Sequence, residues 1–301
     1  MKIVQFDETN WKMDHPTGQI AFHHLLKGTD GTPENFMYIL GRQDRDFFMP
    51  RHRHNFDQIR LPLTGTMNHG DVVLGEGQVG YVPEGLPYGP QDDPVAPYAP
   101  GERLQLVLQF GGASGIGFMS IEQRRQAWKD LEQTGKFVGP YYHRNDGTSA
   151  WGLNAIWEHV FGDRIKYPRP RYKSIIIADP KNFNWLPISG ASGVDRKFLG
   201  TFSERGVTVE MVRVAAGAGW RSEDPAALRL IVVLSGNGTA EKTAISRLSA
   251  LQIEAGESLA LSAATEMELF VVALPPVQLP AVPSTEYDLE ELPEVDHAVH
   301  A

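Results

Sequence analysis

The sequence predicts an all-β protein made of two antiparallel β-barrels joined by a short helical segment. Short apolar runs cut by glycine and proline fill residues 1–118 and return in 171–277, which is typical of a barrel or sandwich. The residues between them, 119–170, have a helical composition. The two β regions also resemble each other, which indicates duplication of one domain.

Length and composition limit the classes of protein to consider. The 301 residues are enough for two domains of about 150 residues each. With 37 acidic and 28 basic residues the net charge is -9, so we expect no nucleic-acid partner. The absence of cysteine excludes disulfides and thiolate ligands. There is no apolar leader and no run of 18 apolar residues, so we predict a cytoplasmic protein with no membrane partner.

The first β region and the helical segment follow from local patterns. The strand-like runs of the first region are QIAFHHLL, FMYILGR, QIRLPLTG, QVGYVPEG and RLQLVLQF. Ser120 followed by Gln123 predicts a capping box at the start of a helix, and Gly135 predicts its end. A second helix is predicted within TSAWGLNAIWEHVFG.

The second β region repeats the pattern of the first. Its runs are SIIIAD, GVTVEMVRVAAG, LRLIVVLSGNG and LFVVAL. When Gly65 is aligned with Gly236, QIRLPLTGTMNHG lies over RLIVVLSGNGTAE without a gap, and Gly77 finds a partner in Gly256. We therefore divide the chain into a site-bearing barrel (1–118), a helical linker (119–170), a second barrel (171–277) and a proline-rich acidic tail (278–301).

A candidate site lies in the stretch PRHRHNFDQIRLPLTG. Because alternate residues of a strand share a face, His52 and His54 point the same way, and in a regular strand Gln58 and Arg60 join them. Imidazole binds zinc, iron, copper, nickel and manganese. Three interpretations stay open: a metal site completed by Gln58 or Tyr88, a metal-free polar pocket for a small molecule, or a structural hydrogen-bonded cluster.

Two motifs in the first β region resemble those of the cupin family, and the whole chain resembles a bicupin. The positions of the first motif are taken by His52, His54, Gln58 and Gly65, with Asp46 in place of the leading glycine. Those of the second are taken by Gly77, Pro83 and Gly85, with Tyr88 in place of the histidine and Asp92 in place of the asparagine. The resemblance implies two jelly-roll barrels.

The resemblance also implies a divalent transition metal, namely iron, manganese, nickel, copper or zinc, in the first barrel. Its ligands would be His52, His54 and Gln58. Glutamine in place of the family's glutamate removes one negative charge from this ligand set. In the second barrel the corresponding positions are Glu223, Pro225 and Arg229, so we expect that barrel to bind no metal and to have a structural role.

Other polar residues extend the candidate site. We expect Tyr88 to act as an acid or base beside the metal and not as a ligand, since no lysine or arginine flanks it in EGLPYGPQ. Arg60 is a candidate clamp for a substrate carboxylate; an ion pair with Asp57 or an exposed strand edge is the alternative. His69 and Gln109 either line the pocket or face water.

The resemblance implies a dioxygenase-type enzyme that acts on a small oxygenated or carboxylate-bearing substrate. A metal-assisted isomerase or lyase, with Tyr88 as acid or base, is one alternative, and a metal-free ligand-binding cupin is another. We expect the protein to form a homodimer. Because a fold does not determine a reaction, the choice depends on the site.

Overall fold

The structure is a computed structural model that describes residues 1–13, 20–43, 47–92, 103–139 and 141–278. Asp46 and, except for its first residue, the tail predicted for 278–301 lie outside these ranges. Within them the chain is mainly strand, with two α-helices, α1 (Ile121–Leu131) and α2 (Gly152–Phe161), and one 3-10 turn (Pro180–Asn182). Neither described helix is long and apolar enough to cross a membrane.

The strands form two barrels and a small sheet between them. In chain order they are β1 (Lys2–Val4), β2 (Ile20–Lys27), β3 (Phe36–Gln43), β4 (Asp57–Pro62), β5 (Met67–Asn68), β6 (Val73–Leu74), β7 (Val79–Val82), β8 (Arg103–Phe110), β9 (Gly135–Val138), β10 (Tyr141–Arg144), β11 (Ser149–Trp151), β12 (Ile176–Ala178), β13 (Leu186–Pro187), β14 (Val194–Phe202), β15 (Val207–Val214), β16 (Gly219–Glu223), β17 (Leu228–Ser235), β18 (Asn237–Ala240), β19 (Thr243–Ser246), β20 (Ala250–Ile253), β21 (Ser258–Ala263) and β22 (Met267–Leu274).

Each barrel combines a large and a small antiparallel sheet. The first has a six-stranded sheet in the order β12-β7-β4-β8-β3-β2 and the ribbon β5-β6. The second has a seven-stranded sheet in the order β1-β20-β17-β22-β15-β14-β13 and a four-stranded sheet in the order β16-β21-β18-β19. The predicted all-β class with two barrels is therefore found.

The two halves exchange edge strands. β1 pairs with β20 of the second barrel, with Lys2 opposite Gln252, while β12 pairs with β7 of the first, with Ile176 opposite Tyr81. The sequence ranges 1–118 and 171–277 therefore do not each enclose a whole barrel. Each exchanged strand has three residues, too few for a pattern that could reveal its partner.

The segment between the barrels is only partly helical. The predicted capping box is present: Gln123 N donates to Ser120 Oγ at 3.1 Å, and Ser120 N donates to Gln123 Oε1 at 3.0 Å. Between α1 and α2, however, the chain forms a three-stranded sheet in the order β11-β10-β9 that was not predicted. Its strands have three or four residues each, so they carry little periodicity.

The alternation of side chains along β4 separates a packing face from a site face. Ile59 and Leu61 belong to the main hydrophobic cluster, which also contains residues of β14, β15, β17 and β22 from the second barrel. This cluster is the contact between the two large sheets. Gln58 and Arg60 face the opposite way, into the first barrel, as the strand period predicts.

The interior of the second barrel is apolar. In the gapless alignment of the two β regions, Ile231 takes the position of Arg60. It belongs to a buried cluster with side chains such as Val212, Trp220, Val233 and Leu261. Among the described residues the cluster that fills this interior is apolar, so it offers no group of polar side chains to recognise a ligand.

Candidate functional site

The two predicted motif segments are held together by backbone hydrogen bonds. His52 N donates to Tyr88 O at 3.0 Å, and Tyr88 N donates back to His52 O at 2.9 Å. Gly85 N donates to His54 O at 2.7 Å. This pairing brings side chains from positions 52–54 and from position 88 together, as the motif spacing predicts.

Gly85 lets the second motif turn beneath a neighbouring segment. Its φ is +80°, in the left-handed region that favours glycine. A Cβ at this position would lie only 1.8 Å from Pro168 O, so no side chain fits. The glycine of this motif is thus required both by its backbone conformation and by the close approach of the segment before β12.

The phenolic oxygen of Tyr88 is the centre of the site. Gln58 Nε2 donates to it at 3.1 Å and Arg60 Nη2 donates at 3.2 Å. His52 Nε2 lies 3.2 Å away on the same oxygen. Tyr88 and Gln58 are both buried, so these polar contacts are shielded from water. The sequence offered no basic neighbour for Tyr88, but the fold supplies Arg60 from β4.

His52 accepts a hydrogen bond from the hydroxyl of Tyr88. Its Nδ1 lies 2.8 Å from Pro50 O, a carbonyl that can only accept, so Nδ1 carries the ring proton and donates it. Nε2 is then an acceptor for the hydroxyl of Tyr88. Burial, and secondarily the charge of Arg60, lowers the pKa of His52 to about 4, so this imidazole is neutral near pH 7.

The amide of Gln58 has a defined orientation. Its Oε1 accepts hydrogen bonds from Arg60 Nη2 at 2.8 Å and Nε at 3.2 Å, and from Gln109 Nε2 at 3.4 Å. A flipped amide would place its NH₂ group against these three donors. The nitrogen of Gln58 therefore faces Tyr88, and its oxygen faces away. Gln109, a predicted pocket residue, supports Gln58.

Arg60 is a buried cation whose partners are neutral. Its exposed fraction is 6%. Among the described residues it donates to Gln58 and Tyr88 and lies 5.7 Å from the centre of the Tyr88 ring. The alternative ion pair with Asp57 does not form, because Asp57 accepts a hydrogen bond from Glu84 N on the other face of β4. The strand-edge alternative fails as well, since β4 lies between β7 and β8.

His69 joins the site as a buried residue. It has an exposed fraction of 2%, and its ring centre lies 5.8 Å from that of Tyr88. Gln91 Nε2 donates to its Nδ1 at 2.8 Å, while within the described ranges its Nε2 has no hydrogen-bond partner. Burial, followed by the charges of Arg60 and His52, lowers the pKa of His69 well below its usual value. Sequence reasoning did not identify Gln91.

These donors do not fit the metal centre that the family resemblance implies. The ring centres of His52 and His54 lie 4.8 Å apart, with an angle of 83° between the ring planes, so the two rings are close enough to share a ligand. The Gln58 oxygen, however, accepts from Arg60 and its nitrogen donates to Tyr88, so the amide oxygen is already used, and the Arg60 cation occupies the same interior. Within the described ranges no three His, Cys, Asp or Glu side chains are grouped to hold a metal ion.

In the second barrel the corresponding positions have other roles. Glu223 is exposed on β16. Arg229 is buried and donates to Ser222 Oγ at 2.5 Å and to the carbonyl of Glu257. These local bonds give Arg229 a structural role, consistent with the apolar interior beside it.

A second buried charged cluster lies where the barrels meet, and sequence reasoning missed it. Glu84 is fully buried and accepts hydrogen bonds from Arg171 at 2.6 Å and from the hydroxyl of Ser114 at 2.6 Å. Arg171 also contacts Glu204 of the second barrel. The only local signal was a glutamate inside the Pro-x-Gly turn, which does not identify its partners.

Comparison with known proteins supports the fold. No protein-family model and no curated protein matches the chain. Among solved structures, HEPD of Streptomyces albus, with its substrate 2-hydroxyethylphosphonate and Fe(II) bound, is 12% identical with a TM-score of 0.55, over 98% of this chain and 79% of that one. Quercetin 2,3-dioxygenase of Acinetobacter baumannii is 14% identical with a TM-score of 0.50, over 94% and 90%. A Geobacillus kaustophilus protein is 13% identical with a TM-score of 0.55, over 93% and 96%.

These neighbours are cupin-fold proteins, and the chain is a bicupin in fold, as its motifs predict. At such low identity the likeness extends to the fold and not to the activity. The activity must therefore be argued from the polar cluster around Tyr88.

Proposed function

We propose that the first barrel binds a small carboxylate-bearing molecule against Arg60 and moves protons to and from it through Tyr88. The observation that carries this proposal is the buried guanidinium of Arg60, whose partners in the described part of the chain are neutral. An uncompensated buried charge costs several kcal/mol, about 3–5 when its partner is removed. An anionic ligand removes that cost, so binding it is favourable.

The other side chains of the site suit this ligand. Guanidinium presents a planar set of donors that matches a carboxylate. Near neutral pH the pKa of His52 and of His69 lies below the pH, so both rings are neutral and the positive charge of this cluster is that of Arg60. The site thus attracts one negative charge.

Tyr88 is the candidate acid and base. Its oxygen accepts from Gln58 and from the cationic Arg60, two donors that stabilise a phenolate. Its hydroxyl donates to the neutral Nε2 of His52, which holds the phenol in place beside the ligand. Such a phenol supports removal and return of a proton beside a carbonyl, the step that isomerases and lyases share.

Proton exchange can be measured without knowledge of the natural substrate. Pyruvate in D₂O is the probe, and NMR follows deuterium entering its methyl group. We expect the wild type to accelerate exchange, Tyr88→Phe to abolish the acceleration while still binding pyruvate, and Arg60→Met to lose binding. Tyr141→Phe, at an exposed tyrosine, is the matched control. Failure of the wild type both to bind pyruvate and to exchange it would overturn the proposal.

A dioxygenase-type reaction is the second candidate. It is favoured by the edge-on packing of His52 and His54 at 4.8 Å, which leaves two imidazoles side by side. The test is element-resolved metal analysis of protein purified without an affinity tag. One transition metal per chain that is lost in the His52→Ala/His54→Ala double variant would favour this candidate. The homodimer and the cytoplasmic location stay predictions.

A further inference from the structure

A small pocket leads from the protein surface to the polar cluster. His69 and Tyr88 lie at its inner end, its walls are apolar, and its rim is charged. The wall residues are Val72, Leu86, Pro87 and Ile175, and the rim residues are Arg51, Asp71, Lys173 and Ser174. Its volume is about 60 Å³. A ligand that enters here has few heavy atoms.

The inner end of this pocket offers one unused hydrogen-bond donor. Gln91 Nε2 donates to Nδ1 of His69, so the proton of the neutral ring lies on Nε2. This Nε2–H is buried and has no hydrogen-bond partner among the residues that the structure describes. A buried donor left unsatisfied costs about 1–3 kcal/mol, which a ligand acceptor would recover.

We infer that His69 is a second recognition group and that the ligand is a carboxylate carrying a further oxygen acceptor, as 2-oxo and 2-hydroxy acids do. This inference rests on the proposed function, because it takes Arg60 as the partner of the carboxylate. His69 and Tyr88 line the inner end of the pocket, and Arg60 donates to Tyr88 there, so a ligand that both Arg60 and His69 contact must accept at two places. His69 selects for the second oxygen.

The rim favours approach of an anion. Two of its charged side chains, Arg51 and Lys173, are basic, and one, Asp71, is acidic. Arg51 also donates to Gly89 O and Pro87 O at 3.3 Å, which holds it beside the pocket. The net positive charge of the rim increases the local concentration of small anions.

Three probes of similar size separate the two recognition groups. Lactate and pyruvate carry the second oxygen, and propionate lacks it. Calorimetric titration of the full-length wild type should show lactate and pyruvate binding about five- to tenfold more tightly than propionate, the worth of one hydrogen bond. In His69→Phe this preference should vanish while propionate affinity stays unchanged. His159→Phe, at a surface histidine, is the matched control.

The outcomes distinguish this inference from the proposed function. If the wild type binds none of the three acids, the proposed function fails. If it binds all three equally, or if His69→Phe keeps the preference, only the role of His69 fails. Should His69→Phe not fold, ¹⁵N NMR of the wild type decides: the Nε2 signal of His69 must move with lactate and not with propionate. Equal shifts with both acids would overturn the inference.

Discussion

The side-chain amide of Gln58 directs its oxygen to Arg60 and its nitrogen to Tyr88. The Arg60 Nη2 to Gln58 Oε1 distance is 2.8 Å, and Gln109 donates to the same oxygen. Gln58, which takes the position of the acidic residue in the cupin motif that this segment resembles, therefore serves as a hydrogen-bond donor to a tyrosine. An amide at this position can accept from Arg60 and donate to Tyr88 at the same time, which a carboxylate cannot do.

Gln58→Glu should weaken carboxylate binding. The new carboxylate would lie beside the guanidinium of Arg60 and compensate its charge within the protein. We expect the affinity for acetate, measured by calorimetric titration, to fall at least about tenfold, or about 1.4 kcal/mol. Gln133→Glu, near the end of α1 and away from the site, is the control. Undiminished acetate affinity in Gln58→Glu would show that the Arg60 charge is not what binds the anion.

Stability should fall as the pH rises from 5 to 7.5. Burial, together with the charge of Glu84, raises the pKa of Asp57 to about 7. In the unfolded chain an aspartate has a pKa of about 3.9. Between these values the folded protein binds more protons than the unfolded chain, so the free energy of unfolding decreases with pH, by at most about 1.4 kcal/mol per pH unit for one proton.

Urea unfolding at pH 5 and pH 7.5 measures this dependence. In Asp57→Asn the decrease should be smaller, and what remains comes from Glu84, whose pKa burial also raises. Asp163→Asn is the control: its pKa is lowered by its hydrogen bond with Lys166, so it does not titrate in this range. The same pH dependence in wild type and Asp57→Asn would contradict the assignment.

Arg171→Gln should destabilise the protein strongly. It removes the cationic partner of Glu84, a carboxylate with no exposed surface. Breaking a buried pair in this way costs about 3–5 kcal/mol. Chemical unfolding at pH 7.5 measures the loss, which should shrink as the pH falls, because burial raises the pKa of Glu84 and protonation removes its charge. Arg164→Gln, which removes a side chain that is 89% exposed, should change stability by less than about 0.5 kcal/mol. Equal effects of the two substitutions would refute the bridging role of Arg171.

Gly85→Ala should cost more than Gly77→Ala. Both glycines have left-handed φ values, +80° and +76°, so each alanine carries a backbone penalty of about 1–2 kcal/mol. Only at Gly85 would the Cβ also collide with Pro168 O, while nothing lies within 4 Å at Gly77. Overpacking adds about 1–3 kcal/mol. If denaturant unfolding showed the same loss of stability for Gly85→Ala and Gly77→Ala, the segment at Pro168 would have to move aside at no cost.

Sequence patterns predicted the elements of the site that depend on local periodicity and spacing. The strand period placed Gln58 and Arg60 on one face of β4, and the motif spacing placed Tyr88 beside His52. The capping box of α1 was likewise local, because its two residues are three positions apart.

Long-range contacts could not be predicted in this way. The orientation of the Gln58 amide depends on Gln109, 51 residues away, and the free Nε2 of His69 depends on Gln91. The exchange of β1 and β12 is set by which sheet edges the folded barrels leave open. None of these relations produces a period or a spacing that a single sequence displays.

Titration of the metal-free protein with acetate and with acetamide tests the central claim most directly. The two probes have nearly the same shape, and only acetate carries a charge. After treatment with a chelator, the wild type should bind acetate at least about tenfold more tightly than acetamide, and Arg60→Met should lose this difference while remaining folded. Equal binding of both probes by the wild type, or a preference for acetate that survives in Arg60→Met, would contradict the account.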